Sequence, residues 1–498
     1  MSTMPRQKTP ISLRRLGLEK LALLIERLSV KNTDESTDGQ SLKQTDCDSY
    51  FIHCPGTIME DLIDLLHWQQ PSGIDFFQLE QLLGSNLRRL WLHYSDSKSF
   101  KGIPLGFQRI LRRLAVCGEQ IVDLSLKGCI LWNNDELIKT MKVLRNLRRL
   151  VLYSSKIDDD VLETIGNSCF HLEELQVSGW NITDYGLTTL TNKPLPLKVI
   201  VVDTDRNYSP KITINSIIYL LQRLPHLEIF KIPLLTEAIV KLHELNPESS
   251  LGLRLYHDDL DGETHTKESM KSVVHCCPLI NELWINVADA ETLLTLKGLR
   301  YLTSLVVTWT NVETSGHVFM DGLIPVLELV GSRITHLEIS LDEIDLSLLD
   351  NCCPMLEEFE CMRFTKLRSS KGQNKPFPYL KSLKLFPEET NYITRDNLIY
   401  LLSGCHNLQT LFIGWCDWWN DQTIYQVLLK NPLKQLREIE MSDLYGVTVN
   451  GLQLLLLAES DLQTINILYC DSISLRDINI LRNLVKALNL DVQIKYYE

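Results

Sequence analysis

Residues 404–419 read Gly404-Cys405-His406-Asn407-Leu408-Gln409-Thr410-Leu411-Phe412-Ile413-Gly414-Trp415-Cys416-Asp417-Trp418-Trp419. Leu408, Leu411 and Ile413 are spaced L-x-x-L-x-L, and apolar residues two apart suit a strand with one buried face. The polar segment that follows, Trp419-Asn420-Asp421, leads into a helical pattern from Ile424 to Leu429. One strand and one short helix bury no core by themselves, but stacked copies do.

Working outward, the same spacing begins at Leu87, Ile121, Leu147, Leu172, Leu197, Leu227, Ser250 and Ile280. It continues at Leu302, Ile334, Leu356, Leu380, Leu408, Leu436 and Leu462, with a degenerate copy near Leu488. The repeat length centres on about 25 residues, which fits leucine-rich repeats of the longer, helix-containing type. Helix starts recur after the strands, as in Ile182-Thr183-Asp184, Ile212-Thr213, Ile393-Thr394 and Val447-Thr448, where threonine supplies a cap. Cys276-Cys277-Pro278 and Cys352-Cys353-Pro354 mark helix ends, since proline cannot continue a helix. The expected fold class is α/β: a curved leucine-rich-repeat solenoid over residues 84–498, with a parallel inner sheet and outer helices.

The chain has 498 residues and a formal net charge of −13, which disfavours a duplex nucleic-acid partner. No apolar run reaches the length of a membrane span, and charged residues interrupt the run after Arg14. A cytoplasmic or nuclear protein is expected. Of the thirteen cysteines, Cys169, Cys277, Cys353 and Cys405 fall at equivalent repeat positions, as buried thiols in a reducing compartment do. No C-x-x-C occurs, and no phosphate-binding, dinucleotide, zinc-protease or nucleophile-elbow motif is present. No catalytic residue, metal or cofactor is therefore assigned. His265 follows the acids Asp258, Asp259, Asp261 and Glu263, a stretch that reads as a solvated loop.

The N-terminus differs from the repeats. Ser12 can cap a helix carrying Leu13, Leu16, Leu21, Leu24 and Leu28 near one face, with Gly17 inside it. Residues 31–49 are polar, charged and aperiodic, and read as a disordered insertion. From Pro55, a second amphipathic helix buries Ile58, Leu62, Leu65 and Leu66. Residues 50–83 then complete a helical segment in front of the solenoid.

Leu13, Gly17 and Leu21 together resemble a degenerate BC-box, with Gly17 where a cysteine is usual. Pro55 to Leu66 is similar to the downstream half of SOCS-box and VHL-box modules. With the repeats behind it, the chain resembles zyg-type elongin-BC receptors, although no armadillo-like C-terminal half is visible. The cysteine-bearing repeats resemble those of ubiquitin-ligase receptors. The resemblance implies a non-catalytic substrate-recognition subunit of a cullin ubiquitin ligase. Residues 1–30 form a BC-box-like helix, and Leu13, Gly17, Leu21, Leu24, Pro55, Ile58 and Leu62 contact the adapter. Its implied partners are elongin B/C, a cullin and a client protein. Two alternatives stay open: an F-box-type receptor docking through the F-box adapter, and a scaffold in which residues 12–66 only cap the core.

Strand side chains between the buried leucines face the inner surface. Early strands present Arg89, Trp91, His93, Lys127, Arg149 and Tyr153, and later ones Glu338, Glu358, Glu360, Glu438 and Glu440. Trp284 and Phe412 take equivalent places, and Trp415, Trp418 and Trp419 crowd the turn after Ile413. The expected client-binding residues are Arg89, Trp91, His93, Arg149, Tyr153, Trp284, Phe412, Trp415 and Trp419, with Trp415 or Trp418 packed under the turn. Thr365–Pro376 reads as an oversized basic loop.

Overall fold

A computed structural model describes residues 13–33, 54–69, 74–84, 86–94, 103–129, 134–153, 157–179, 181–203, 211–257, 264–287, 289–309, 318–369, 376–389 and 392–497. The chain divides into two compact units, Ile11–Leu253 and Arg254–Glu498.

The unit Ile11–Leu253 begins with helices α1 (Leu13–Thr33), α2 (Gly56–Gln69) and α3 (Phe76–Leu82). Six strands follow: β1 (Arg89–His93), β2 (Asp123–Lys127), β3 (Arg149–Leu152), β4 (Glu174–Ser178), β5 (Val199–Asp203) and β6 (Ile229–Lys231). Each pairs in parallel with the next. The unit from Arg254 carries β7 (Leu255–His257), β8 (Glu282–Val287), β9 (Ser304–Trp309), β10 (His336–Ser340), β12 (Glu358–Met362) and β14 (Ser382–Phe386). β15 (Thr410–Gly414), β16 (Glu438–Ser442), β17 (Thr464–Leu468) and β18 (Gln493–Tyr497) complete this parallel sheet. A separate parallel pair joins β11 (Glu343–Asp345) to β13 (Lys366–Arg368). Part of the expected basic loop is thus strand, while residues 370–375 lie outside the described residues. The expected insertion at 31–49 also needs correction, because α1 runs on through Thr33; residues 34–50 lie outside the described residues.

One hydrogen-bond pattern registers successive repeats. Just before most of the strands, a carbonyl accepts from two consecutive N–H groups of the following repeat. The Arg148 oxygen takes Glu173 at 2.8 Å and Glu174 at 2.9 Å, and the Gln409 oxygen takes Arg437 at 2.8 Å and Glu438 at 3.0 Å. The L-x-x-L-x-L side chains then point together into the core: Leu408, Leu411 and Ile413 are fully buried, as are Leu172, Leu175 and Val177. At β7 the spacing slips. Leu253 and Tyr256 are buried and Leu255 is half-exposed, so this copy starts later than the expected Ser250.

The helices are fixed at both ends. Cys169, Cys277, Cys353 and Cys405 are all helix C-caps with nothing exposed, and burial pushes the thiols of Cys169 and Cys353 up to about 12. They fill space and stay protonated near neutral pH. At the other end, Asp158, Thr183, Thr266, Thr394, Asn420, Thr448 and Ser474 accept from backbone N–H groups as N-caps. The residue before each cap is buried: Ile157, Ile182, His265, Ile393, Trp419, Val447 and Ile473. This is the position of a hydrophobic staple. It explains two corrections. His265 is not on a solvated loop; it is enclosed, bridging the Tyr256 hydroxyl at 3.2 Å and the Asn286 carbonyl at 3.0 Å. Trp419 is core.

A second device ties three of the helix starts to the preceding repeat. The Asp421 carboxylate, in the first turn of helix Asp421–Lys430, accepts from the backbone N–H of Thr448 at 2.9 Å and from its hydroxyl at 2.6 Å. Asp159 holds Thr183 in the same way at 2.8 Å and 2.6 Å, and Asp184 holds Thr213 at 2.7 Å and 2.8 Å. Burial pushes the Asp184 carboxyl up, but hydrogen bonds from Ser216 and Thr213 outweigh it, and its pKa lies below the ordinary value. The carboxylate occupies the room a side chain would need three residues past the cap. A Cβ on Gly451 would sit 2.3 Å from Asp421 Oδ1, and one on Gly186 2.3 Å from Asp159 Oδ1.

Asp421→Ala is expected to cost about 2 kcal/mol, since it removes two charge-assisted hydrogen bonds, and Gly451→Ala about 1–3 kcal/mol by overpacking. The two are coupled: with Asp421 already alanine, the Gly451→Ala penalty shrinks, because the clash is with the missing carboxylate. Urea melts of the two single variants and the double variant test this, and additive losses would contradict it.

Candidate interaction surfaces

α1 packs against α2 and α3. Its inward side buries Ala22 and Ile25, with Leu18 half-buried. Among the described outward residues, Leu16, Leu21, Leu23 and Leu24 are exposed, Leu23 to 53%, beside exposed Arg14, Arg15 and Lys20, and Gly17 has open space beside it. An Arg14–Asp61 ion pair joins α1 to α2, and a groove of about 380 Å3 between them is lined by Arg14, Arg15, Leu18, Asp61, Leu65 and Trp68. On α2, Met59, Leu62, Ile63 and Leu66 form the buried stripe at helical spacing. Leu62 is therefore core, a correction to its expected adapter contact. Pro55 and Ile58 are exposed at the helix start, where Gly56 backs onto the Asn86 carbonyl. The side chain of Leu13 lies outside the described residues. Leu16 and Leu23 were not among the expected contacts, although the leucine spacing on more than one helix face was their signal.

α2 is joined to the sheet through His67. Ile74 N–H donates to Nδ1 at 3.3 Å, and Nε2 lies 2.8 Å from the His93 carbonyl oxygen and 2.9 Å from the His93 backbone nitrogen. The ring packs edge-on to Tyr94, whose hydroxyl donates to the Ile74 carbonyl at 3.0 Å. Burial is the largest influence on His67 and lowers its pKa below 6.5, against the opposing effects of the His93 bond and Asp64.

On the inner face of β1–β3 the structure brings Arg89, Trp91, His93, Arg149 and Tyr153 together. The guanidiniums of Arg89 and Arg149 lie 4.6 Å and 5.8 Å from the centre of the Trp91 ring. Lys127 lies 5.4 Å over Tyr153, and His93 Nε2 is 3.2 Å from the Ser125 hydroxyl. The expected basic character is largely cancelled within the fold. Arg89 pairs with Asp64 at 2.7 Å, and Arg149 pairs with Asp123 at 3.2 Å and Glu174 at 3.0 Å. What remains is a clamped, partly exposed indole.

Trp284 and Phe412 belong to the unit from Arg254. Trp284 meets His257 edge-on at 4.4 Å, and Phe412 lies under Lys384 at 5.6 Å. Among the three clustered tryptophans, Trp419 is wholly buried, whereas Trp415 and Trp418 are exposed, reversing the expected order. Trp415 has φ 50°, and Arg363, Asp443 and Tyr469 share this left-handed conformation directly after β12, β16 and β17. The N–H of each donates to a carbonyl at the end of the following strand, at 3.1 Å for Trp415 to Ser442 and 3.0 Å for Tyr469 to Tyr497. A bulky residue with positive φ is uncommon. Here it projects aromatic rings at the sheet edge, a position that sequence alignment of the repeats exposes only once the strand ends are known.

The parallel strands, capped helices and repeating Asp–Thr ties define an α/β leucine-rich-repeat solenoid. No protein-family model matches the chain. Among curated proteins it is similar to F-box/LRR-repeat protein 4 of Bos taurus, with 23% identity over 187 residues, 36% of this chain and 30% of that protein. The match thus spans less than a third of the relative's length. Among solved structures it is similar to one from the crystal structure of the Rad7 and Elc1 complex in yeast, at 14% identity and TM-score 0.40, covering 94% of this chain and 96% of that one. No helix among the described residues is long and apolar enough to cross a membrane.

Because the folded pKa of His67 lies below its unfolded value, its contribution is complete above about pH 6.5 and is lost as pH falls through the folded value. Thermal melting at about pH 7.5 and pH 5.5 is expected to show a larger loss for wild type than for His67→Gln, which cannot charge. Equal losses would contradict a neutral, structural His67.

Proposed function

We propose that this chain is a non-catalytic substrate-recognition subunit of a cullin-type ubiquitin ligase, working in the cytoplasm or nucleus. The observation that carries the reading is the uncovered apolar face of α1. A helix that only capped the solenoid would turn chiefly polar residues to water; this one buries Ala22 and Ile25 and leaves Leu16, Leu21, Leu23 and Leu24 outside alongside Arg14, Arg15 and Lys20. One side covers the core and the other docks an adapter. The BC-box resemblance of Leu13, Gly17 and Leu21 makes elongin C, with elongin B and a cullin, the adapter of this reading. The F-box adapter is the second reading, favoured by the F-box/LRR name of the bovine relative. The inner sheet faces, with Trp91, Trp284, Phe412 and Trp415, hold the client.

Leu21→Ser with Leu24→Ser tests the docking face. Both side chains are exposed, so melting should be unchanged. Each leucine buried in an interface contributes about 1.5–3 kcal/mol, so affinity for the adapter should fall about a hundredfold or more. Immobilised wild type and variant are offered purified elongin B/C and, separately, the F-box adapter. Retention of neither by wild type, or equal retention by the variant, would overturn the reading.

A further inference from the structure

Glu438 and Glu440 stand two residues apart on the inner face of β16, and both accept from one amide, Nδ2 of Asn466 on β17, at 3.0 Å and 3.2 Å. Neither forms an ion pair among the described residues. The acids of β12, in the same sheet, have partners: Glu360 pairs with Lys384 at 2.6 Å, and Glu358 lies 3.0 Å from the His336 ring. Lys495, in register beyond Asn466, pairs with neither glutamate. Asn466 is 8% exposed, and its Oδ1 has no donor. A buried polar atom without a partner is costly and rare, so its place beside two uncompensated carboxylates points to a donor brought from outside.

The edge just beyond these residues is aromatic and acidic. Gly414, Ser442, Leu468 and Tyr497 are in register at the strand ends, and Trp415 and Tyr469 follow directly after two of them. Trp415 is 48% exposed and Tyr469 56%, with Asp443 between their repeats. A guanidinium carries five N–H donors and no acceptor, pairs with carboxylates in its plane, and stacks on aromatic faces. Acceptors without cations beside open rings therefore complement an arginine. Nucleic acid would meet the same carboxylates as repulsion.

We propose that the inner face of β15–β18, centred on Glu438, Glu440 and Asn466 and edged by Trp415 and Tyr469, binds an arginine-bearing basic segment of a partner protein. The proposal deepens the receptor reading, on which it rests only for identifying that partner as the client.

The test is fluorescence anisotropy of a fluorescein-labelled peptide of alternating arginine and serine, titrated with the purified full chain. Wild type should bind saturably at about 0.15 M salt, and Glu438→Gln with Glu440→Gln should weaken binding about tenfold or more. Glu328→Gln with Asp396→Asn makes the same charge change at exposed helix positions of the same unit and should change binding less than about twofold. Trp415→Ala, at an exposed side chain, should weaken binding at least about fivefold and carries the test alone if the glutamine pair melts early. Absence of saturable binding to wild type overturns the proposal. So does equal weakening by the two charge pairs, which would mean diffuse attraction to an acidic chain. No adapter is present in this assay, so its failure leaves adapter docking standing, and failure of docking leaves this site standing.

Discussion

The shared carbonyl between repeats is the contact on which the rest depends. Arg148, Glu173 and Lys198 in one unit, and Thr335, Glu357, Lys381 and Gln409 in the other, each give one oxygen to two N–H groups of the next repeat. A five-residue strand has no core of its own, so its leucines become buried only when the neighbour arrives in register. The double hydrogen bond sets that register at the strand start, and the Asp–Thr tie repeats the alignment at the helix start. Where both constraints occur, at Thr183, Thr213 and Thr448, they leave little freedom to slip. They also leave the residues between the leucines free to vary, because the backbone and the buried positions carry the packing.

That division explains which parts of the molecule can be read from sequence. The leucine spacing reports burial directly, so strand positions and the α/β class were legible. β7 was misplaced because Leu255 mimics a core residue while Tyr256, an aromatic, takes the buried position. Trp419 was misread because its place at the turn suggested docking, and Leu62, which the helical pattern buries, because the box resemblance implied an adapter contact; each sits in a slot the backbone encloses. Aligning Trp419 with Ile182, Ile393 and Val447 before the caps would have placed it in the core. The ties from Asp159, Asp184 and Asp421 were half visible, since the capping threonines read as helix starts while the aspartates that hold them lie one repeat away. Which arginines of the Trp91 cluster are neutralised was not legible, because Asp64, Asp123 and Glu174 come from three different elements.

The N-terminal helices join the fold to the proposed activity. α1 closes the core with Ala22 and Ile25, and α2 is held to β1 by a neutral His67, so the outward leucines of α1 are presented on an anchored support. Burying those leucines against a partner would recover the apolar area that folding leaves in water. The same logic separates the two proposed roles along the chain: apolar docking at the first helices, and polar, aromatic recognition along the inner strands.

Hydrogen exchange of the full chain tests this most directly, run alone, with elongin B/C, and with the F-box adapter. The account expects one adapter to slow exchange across residues 16–24 while the repeat strands, already hydrogen-bonded to their neighbours, stay unchanged. Unaltered exchange at 16–24 with both adapters would contradict a docking role for α1 and leave it as a cap alone.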